Sequence, residues 1–173
     1  ENYNLDATMT YLVDERAMWF IPVINPDGYV YNQLINPGGG GMHRKNRRPG
    51  CSSLPGVDLN RNWGFQWGYN DVGSNPDSCG TTYRGSQAFS EPETQVVRDF
   101  VLEHDFQTVF NYHSYGNLLI KPLGYDESVE LPLPDGDIYN QMGQDLTEDN
   151  DYLFGTGTET VGYIVNGDAV DYM

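Results

Sequence analysis

Apolar runs separated by polar, glycine-rich stretches predict alternating strands and helices. The run at 17–24 (AMWFIPVI) favours a buried strand, and Asn25-Pro26-Asp27-Gly28, which follows it, is a strong turn signal. A second strand is predicted over 108–112 and a short one over 118–120. The segments at 33–50 and 69–85 are rich in glycine and polar residues, so we expect loops there.

Two helices are predicted, one between the first two strands and one after the strand at 118–120. The first begins at Ser90, which forms a capping box with Glu93, and Pro92 suits its first turn. It ends near His104, and its apolar face comprises Val96, Val97, Phe100 and Val101. The second helix is predicted over 137–148. Strands that alternate with helices indicate an α/β fold class.

Charge is distributed unevenly along the chain. The formal net charge of -16 argues against nucleic acid as a partner, because phosphate backbones attract basic surfaces. Residues 126–173 hold 12 acids and no Lys or Arg, which indicates a solvated surface, with a calcium site or an adaptation to salt as alternatives. Five of the nine basic residues lie between Arg44 and Arg61, which favours a local anion site. No apolar run reaches membrane-spanning length.

The two cysteines, Cys51 and Cys79, lie in loop sequence. Neither has a partner at the CxxC spacing of metal sites, and loop cysteines in an acidic, lysine-poor chain favour a disulfide in an oxidising compartment.

Two groups of residues have the chemistry of a site. His113 follows an apolar strand, where a site in an α/β sheet commonly lies, although a lone histidine is more often structural. The segment 58–63 (DLNRNW) is densely polar, and an Arg beside an Asn amide can hold a carboxylate. The alternative for this segment is a structural turn with a surface Arg61.

Two further groups have simpler alternatives. Arg44 lies in a basic run that a solvated loop would also explain. The segment 163–171 (YIVNGDAVD) holds two Asp in buried-looking sequence, and the alternative is a turn with solvent-facing carboxylates. The glycine run at 38–41 is not a phosphate loop, because no GK[ST] follows it.

Taken together, these motifs resemble the carboxypeptidase A-type zinc metallocarboxypeptidases, and most closely their secreted bacterial, carboxypeptidase T-like members. The matches occur in the family's order along essentially the whole chain: 25–28 (NPDG), Arg44-Lys45, 58–63 (DLNRNW), 82–85 (TYRG), 89–94 (FSEPET), 113–115 (HSY), 122–125 (PLGY) and 163–171. The fold that the resemblance implies is a mixed, mostly parallel β-sheet flanked by helices, of which residues 1–173 would be the central portion of one catalytic domain.

The resemblance implies a role for each matching residue. His113 looks like the third zinc ligand, and Asp58 like the acceptor that orients a zinc-bound histidine. Arg44 looks like the group that polarises the scissile carbonyl. The substrate's terminal carboxylate would be held by Asn60 and Arg61 and covered by a mobile Tyr163.

Further residues are implied to bind substrate or shape the site. Ser114 and Tyr115, joined by a non-proline cis bond, would line the subsite before the cut. Val170 and Asp168 would face the pocket for the departing residue, which implies mixed specificity for apolar and basic side chains. Related enzymes place a disulfide where Cys51 and Cys79 lie.

Two parts of the family's site have no match. The upstream His-x-x-Glu motif is absent, since the only histidines are His43, His104 and His113, and the catalytic Glu would follow the last residue. We therefore expect this chain to be a central fragment of a secreted zinc enzyme that acts on peptide C-termini, inactive alone and prone to self-association through exposed strand edges.

Two other functions fit parts of the sequence. A metal-free, carboxypeptidase-like module could bind peptide C-termini through Asn60, Arg61 and Tyr163, and the missing zinc ligands agree with it. A polyanion binder acting through residues 44–48 is the second alternative, which the net charge of -16 opposes. Flanking sequence with a His-x-x-Glu motif and a downstream Glu would favour the enzyme.

Overall fold

The computed structural model describes residues 2–173. In chain order the elements are α1 (Ala7–Glu15), α2 (Pro26–Ile35), a 3-10 turn (Leu59–Arg61), a second 3-10 turn (Tyr69–Asp71), α3 (Pro92–Glu103), β1 (Leu118–Ile120), α4 (Asp135–Thr147), β2 (Leu153–Gly155), α5 (Gly157–Thr160) and α6 (Ala169–Tyr172). Strands β1 and β2 pair in parallel, with Leu118 opposite Leu153, and α4 connects them. A parallel pair joined by a helix is the unit of α/β proteins, so the predicted fold class is confirmed.

The helix α3 is confirmed, but its predicted capping box is wrong. Glu91 occupies the N-cap position, and the Ser90 hydroxyl donates to the Glu91 carboxylate at 2.6 Å instead of capping the helix. Of the predicted apolar face, Val97 is buried and Val96 is exposed. The reason is that the start of α3 is pinned to the interior through the buried Glu91, which sets the helix rotation.

The two longer predicted strands are wrong. Neither 17–24 nor 108–112 contains a paired strand, and their apolar side chains are exposed, with Phe20 82% and Tyr112 92% accessible. Apolar, β-branched and aromatic residues favour a strand only where a neighbouring strand accepts the backbone hydrogen bonds. Within residues 2–173 no segment pairs with either run.

The motif Asn25-Pro26-Asp27-Gly28 begins a helix and is not a turn. The Asn25 side chain caps α2 by accepting from the Gly28 backbone N–H at 2.9 Å, and Pro26 occupies the first helical position. As a result, the loop predicted from residue 33 begins only after Ile35. The pattern also does not predict α1 or β2.

The apolar core is small and lies where three segments meet. Trp63, from the segment 58–63, packs with Val97 of α3 and Ala169 of α6, and the partly buried side chains around them are Phe89, Val101, Tyr172 and Met173. This packing brings the segments 58–63 and 163–171 together although they are distant in the chain. None of the helices within residues 2–173 has both the length and the apolar character needed to cross a bilayer.

Two local expectations are confirmed. Cys51 and Cys79 form a disulfide, with an S–S distance of 2.01 Å. The Ser114–Tyr115 peptide bond is cis, and so are the Pro122–Leu123 and Leu133–Pro134 bonds.

Candidate functional site

The segment 58–63 forms a tight, buried turn. The Asp58 carboxylate accepts from the Asn60 backbone N–H at 3.2 Å, and the Arg61 N–H donates to the Asp58 carbonyl at 2.9 Å. The Trp63 side chain anchors the end of the turn in the core, and the Trp63 backbone N–H donates to the Gly167 carbonyl at 2.9 Å. The turn therefore presents Asp58, Asn60 and Arg61 from a rigid base.

Arg61 is buried, so the alternative of a surface arginine on a structural turn is wrong. Its Nε donates to the Gly73 carbonyl and its Nη1 to the Asn60 carbonyl, both at 2.7 Å. Burial lowers the pKa of Arg61, and so does Arg44, whereas the charges of Asp58 and Asp168 raise it. Its Nη2 donates to no residue within 2–173.

Asn60 offers a second free donor beside the guanidinium. Its side-chain oxygen accepts from the Ala169 N–H at 3.1 Å, which fixes the amide and directs its NH₂ group away from α6. That NH₂ group donates to no other residue between 2 and 173. The Asn60 amide and the Arg61 Nη2 belong to neighbouring residues of one turn and have no acceptor within residues 2–173, which suits a carboxylate ligand.

Asp58 is a buried acceptor that is not fully satisfied. Its Oδ2 lies 2.9 Å from Arg44 Nη2 and 4.0 Å from Arg61 Nη1, but it accepts no hydrogen bond of good geometry from residues 2–173. The carboxylate is only 2% accessible, whereas the Arg44 side chain is 48% accessible. A buried, unsatisfied carboxylate oxygen can take a further donor, such as an imidazole N–H.

His113 lies in the electrostatic field of the same residues. Its side chain is accessible, yet crowding by protein atoms lowers its pKa; Arg44 and Arg61 lower it further, and Asp58 raises it. The other two histidines are held by main-chain carbonyls, His43 by Asn46 at 3.2 Å and His104 by Phe100 at 2.8 Å.

The residues present do not complete a zinc site. Within residues 2–173 there is no group of three or more His, Cys, Asp or Glu that could hold a metal ion. His113 is one candidate ligand and Asp58 one candidate acceptor behind a ligand, whereas a catalytic zinc uses three protein ligands and a water. Any zinc bound here would need ligands from outside these residues.

Tyr163 is half exposed, whereas residues 165–169 after it are buried and bond to the turn at 58–63, which we call the clamp turn. It lies close enough to Arg61 to affect the pKa of that guanidinium. Three residues further on, Asn166 is fully buried and donates to the Tyr69 carbonyl at 3.0 Å and to the Val72 carbonyl. Tyr163 is therefore an exposed side chain next to a fixed, buried segment. The sequence does not single out Asn166, and its only signal is an amide inside a segment of apolar character.

The two aspartates after Tyr163 are not solvent-facing, so that alternative is wrong. Asp168 is 7% accessible and caps α6, its Oδ1 accepting from the Asp171 N–H at 3.3 Å. Asp171 accepts from the Gly124 and Tyr125 N–H groups at 2.8 and 3.1 Å. Burial, and then the charge of Asp171, raises the pKa of Asp168 to about 7. Val170 is partly buried beside them.

The pH dependence of the stability of an Asp168→Asn variant tests whether the Asp168 carboxyl is buried in its neutral form. The neutral carboxyl is favoured in the folded protein, so wild-type stability falls as pH rises from about 3.8 towards about 7. Asn keeps the helix cap without the charge. We expect the variant to match the wild type near pH 3.5 and to gain on the order of 2 kcal/mol above pH 7. Urea unfolding across pH measures the difference, and a constant difference from pH 3.5 to 8 would contradict the assignment.

The structure thus gathers most, but not all, of the residues that the sequence singles out. Arg44, Asp58, Asn60 and Arg61 lie together, with His113 in their electrostatic field. Ser114 and Tyr115 adjoin His113 in the chain, but both are exposed, and Tyr115 is 100% accessible. The disulfide joins the two loops whose carbonyls accept hydrogen bonds from Lys45, the residue after Arg44.

Comparisons with known proteins identify the family to which the chain belongs. The chain matches the family described as Zinc carboxypeptidase (peptidase M14) over residues 1–173. It is 35% identical over 98% of its length to Metallocarboxypeptidase A of Trichophyton tonsurans, and 33% identical over 99% to Carboxypeptidase A1 of Bos taurus. The chain spans only 41% of the length of each of these relatives.

A solved structure supports the same fold. Carboxypeptidase A from Helicoverpa armigera superposes with a TM-score of 0.64 at 37% identity, covering 88% of this chain and 38% of that one.

Proposed function

Because this chain belongs to the zinc carboxypeptidase family, we propose that it is part of a longer protein, called the parent protein below, that removes single amino acids from the C-termini of peptides and proteins. The observation that carries the proposal is the pair of free donors on Asn60 and Arg61. The two residues are neighbours in a turn that is held by hydrogen bonds to Gly73 and Ala169, and Arg61 is buried.

A free C-terminal carboxylate fits these donors. The Arg61 guanidinium is held at Nε and Nη1, so that Nη2 has a fixed position and little side-chain entropy is lost on binding. Tyr163 would close over the bound carboxylate.

Arg44 is positioned to stabilise negative charge on the scissile carbonyl. Its guanidinium is half exposed and is tethered to Asp58 on one side, which leaves other donors directed to solvent. A fixed positive charge near a developing oxyanion lowers the barrier of acyl-transfer reactions. Ser114 and Tyr115 would line the subsite on the other side of the scissile bond.

Zinc would be bound by ligands that other regions of the parent protein supply in part. His113 would provide one ligand, and the unsatisfied Oδ2 of Asp58 would accept from a ligating imidazole. A metal held there supplies Lewis acidity and activates water. We propose that the missing ligands and the general base lie outside residues 2–173, in keeping with relatives of which the chain spans 41%.

The pocket for the departing residue would be lined by Val170 and Asp168. Val170 would favour apolar side chains, and Asp168 would pair with Lys or Arg when it is ionised. We propose mixed specificity on this basis. The disulfide and the homology to metallocarboxypeptidases also support a secreted protein.

A metal-free module that binds peptide C-termini is the second candidate. The absence of a three-ligand group within residues 2–173 favours it, and the clamp of Asn60 and Arg61 would suffice for binding. The two functions differ in whether bound peptide is cleaved.

Amino-acid release from matched peptides separates these candidates. We expect the zinc-loaded parent protein to release Leu and Arg from peptides ending in those residues, and to leave the C-terminally amidated peptides intact. A metal chelator should abolish release but leave binding of the free-acid peptides measurable by fluorescence anisotropy. Binding without release under any metal condition would support the module, and release from amidated peptides would contradict the carboxylate clamp.

A further inference from the structure

Lys45, next to Arg44, holds its ammonium group inside the protein. The residue is 1% accessible, and its Nζ donates to the carbonyls of Leu54 at 3.0 Å, Ser78 at 3.3 Å and Gly80 at 3.0 Å. All three N–H bonds of the ammonium therefore have acceptors. The Tyr83 ring lies 5.6 Å from Nζ and closes the remaining side.

The three carbonyls belong to the two loops that the disulfide joins. Leu54 lies three residues after Cys51, and Ser78 and Gly80 flank Cys79. The Lys45 side chain thus connects both loops to the backbone of the segment 44–46. We call this arrangement of carbonyls and the Tyr83 ring the lysine cage.

The backbone of the segment 44–46 is also fixed from two sides. The Asn25 amide donates to the Lys45 carbonyl at 3.1 Å, and the Asn46 N–H donates to the Val57 carbonyl at 2.9 Å. In return, the Val57 N–H donates to the Asn46 side chain at 2.8 Å. The segment therefore runs beside Val57, whose neighbour in the chain is Asp58.

Lys45 and Arg44 face opposite ways. Lys45 enters the interior, while the Arg44 side chain is 48% accessible and reaches Asp58 at 2.9 Å. Adjacent side chains in a non-helical segment commonly point to opposite sides. Holding Lys45 inward consequently directs Arg44 outward, towards the candidate site.

Burial of the Lys45 ammonium group costs free energy of folding. Burial lowers the pKa of Lys45, although Asp58 and Asp77 raise it. An apolar side chain of similar length would fill the space without that cost, but it would not tie the segment to three carbonyls at once. The geometry thus indicates that Lys45 fixes the position of the segment 44–46 and does not only fill space in the core.

We propose that Lys45 is a positioning residue, which holds the Arg44 guanidinium at the reacting carbonyl by anchoring the segment 44–46 to the disulfide-linked loops. The proposal rests on the proposed function, because Arg44 acts on substrate only in the enzyme. It adds to that function a residue that never contacts substrate.

The kinetic test compares Lys45→Met with Lys121→Met in the parent protein. Lys121 is the other lysine of the chain and donates to Asn140, away from Arg44. We expect Lys45→Met to lower kcat about 10- to 100-fold and to change KM less than about 2-fold, since Arg44 acts mainly in the transition state. Lys121→Met should leave both constants unchanged.

A purely structural role predicts a different result. In that case Lys45→Met would lower the free energy of unfolding but leave kcat per folded, active-site-titrated molecule unchanged, and this outcome would overturn the proposal. If Lys45→Met does not fold, Lys45→Gln replaces it, because its shorter side chain has two N–H donors, leaves at least one of the three carbonyls unbonded and should still lower kcat. A wild-type kcat in Lys45→Gln would equally overturn the proposal.

A spectroscopic measurement separates failure of this proposal from failure of the proposed function. Arginine side-chain NMR of the parent protein should show a restrained Arg44 guanidinium in the wild type and in Lys121→Met. In Lys45→Met the signal should become averaged, as in an Asp58→Asn reference. An inactive wild type with this pattern would reject the function and retain the positioning role, and an unchanged Arg44 signal in Lys45→Met would reject the positioning role.

Discussion

Asn62→Ala is expected to lower the free energy of unfolding by about 3–5 kcal/mol. Asn62 is fully buried, and its side chain joins the clamp turn to the start of α3. Its amide NH₂ lies within hydrogen-bonding distance of three acceptors: the carbonyls of Arg84 at 2.9 Å and Gln87 at 3.0 Å, and the Ser90 hydroxyl at 3.0 Å. Its oxygen accepts from the Glu91 N–H at 3.2 Å and the Thr94 hydroxyl at 2.7 Å.

The expected loss is large because alanine leaves these partners buried without a bonding group. An unsatisfied buried polar atom costs about 1–3 kcal/mol, whereas a satisfied hydrogen bond contributes about 1 kcal/mol net. Asn62→Asp keeps the shape but turns the donor into an acceptor facing three oxygen atoms, so we expect it to destabilise at least as much at neutral pH.

Chemical denaturation of the parent protein measures both variants. Asn117→Ala is the matched control, because Asn117 is exposed and only its backbone carbonyl accepts a hydrogen bond, from Leu153 at 3.0 Å. We expect a change within about 0.5 kcal/mol for this control. Equal stability of Asn62→Ala and Asn117→Ala would show that the buried network is not what joins the clamp turn to α3.

Arg61→Lys is expected to lower kcat/KM for free-acid peptides about 100- to 1,000-fold in the parent protein. A lysine cannot hold the Gly73 and Asn60 carbonyls and keep a further donor in the position of Nη2. The substrate carboxylate would then be buried without its partner. Loss of one partner of a buried charge pair costs about 2–5 kcal/mol.

Preference for free-acid over amidated peptides is the decisive measurement for Arg61. We expect the wild type to show a strong preference and Arg61→Lys to lose most of it. Arg84→Lys is the control, since Arg84 is also buried but pairs with Asp71 and stacks on Trp67. Arg84→Lys should lower stability and keep the preference. An unchanged preference in Arg61→Lys would place the carboxylate elsewhere.

Local sequence signals predicted the elements that depend on near neighbours. The helix α3, the strand β1, the helix α4 and the disulfide all lie where the pattern indicates, within two residues at the ends of the helices. The segments 58–63 and 163–171 were singled out by their polar residues and by a resemblance to a family whose match is confirmed, and the roles of their residues stay predictions. None of these predictions required knowledge of the fold.

Predictions from local sequence were wrong where the structure of a segment depends on residues that are distant in the chain. The apolar runs at 17–24 and 108–112 have strand composition, but no strand within residues 2–173 pairs with them, and their side chains are exposed. The capping box at Ser90 is plausible in isolation. It is displaced because Ser90 and Glu91 bond instead to Asn62, which lies 28 and 29 residues earlier.

The sequence by itself determined which chemical groups are available: a guanidinium beside an amide, a tyrosine on a turn, one histidine near them, and an acidic chain with only two lysines. Only the tertiary structure decided which of these groups are buried, which are satisfied and which remain free. Asn166 is held by Tyr69, 97 residues away, and Lys45 by carbonyls up to 35 residues away. Desolvation and hydrogen-bond satisfaction arise from such long-range contacts, and no local pattern encodes them.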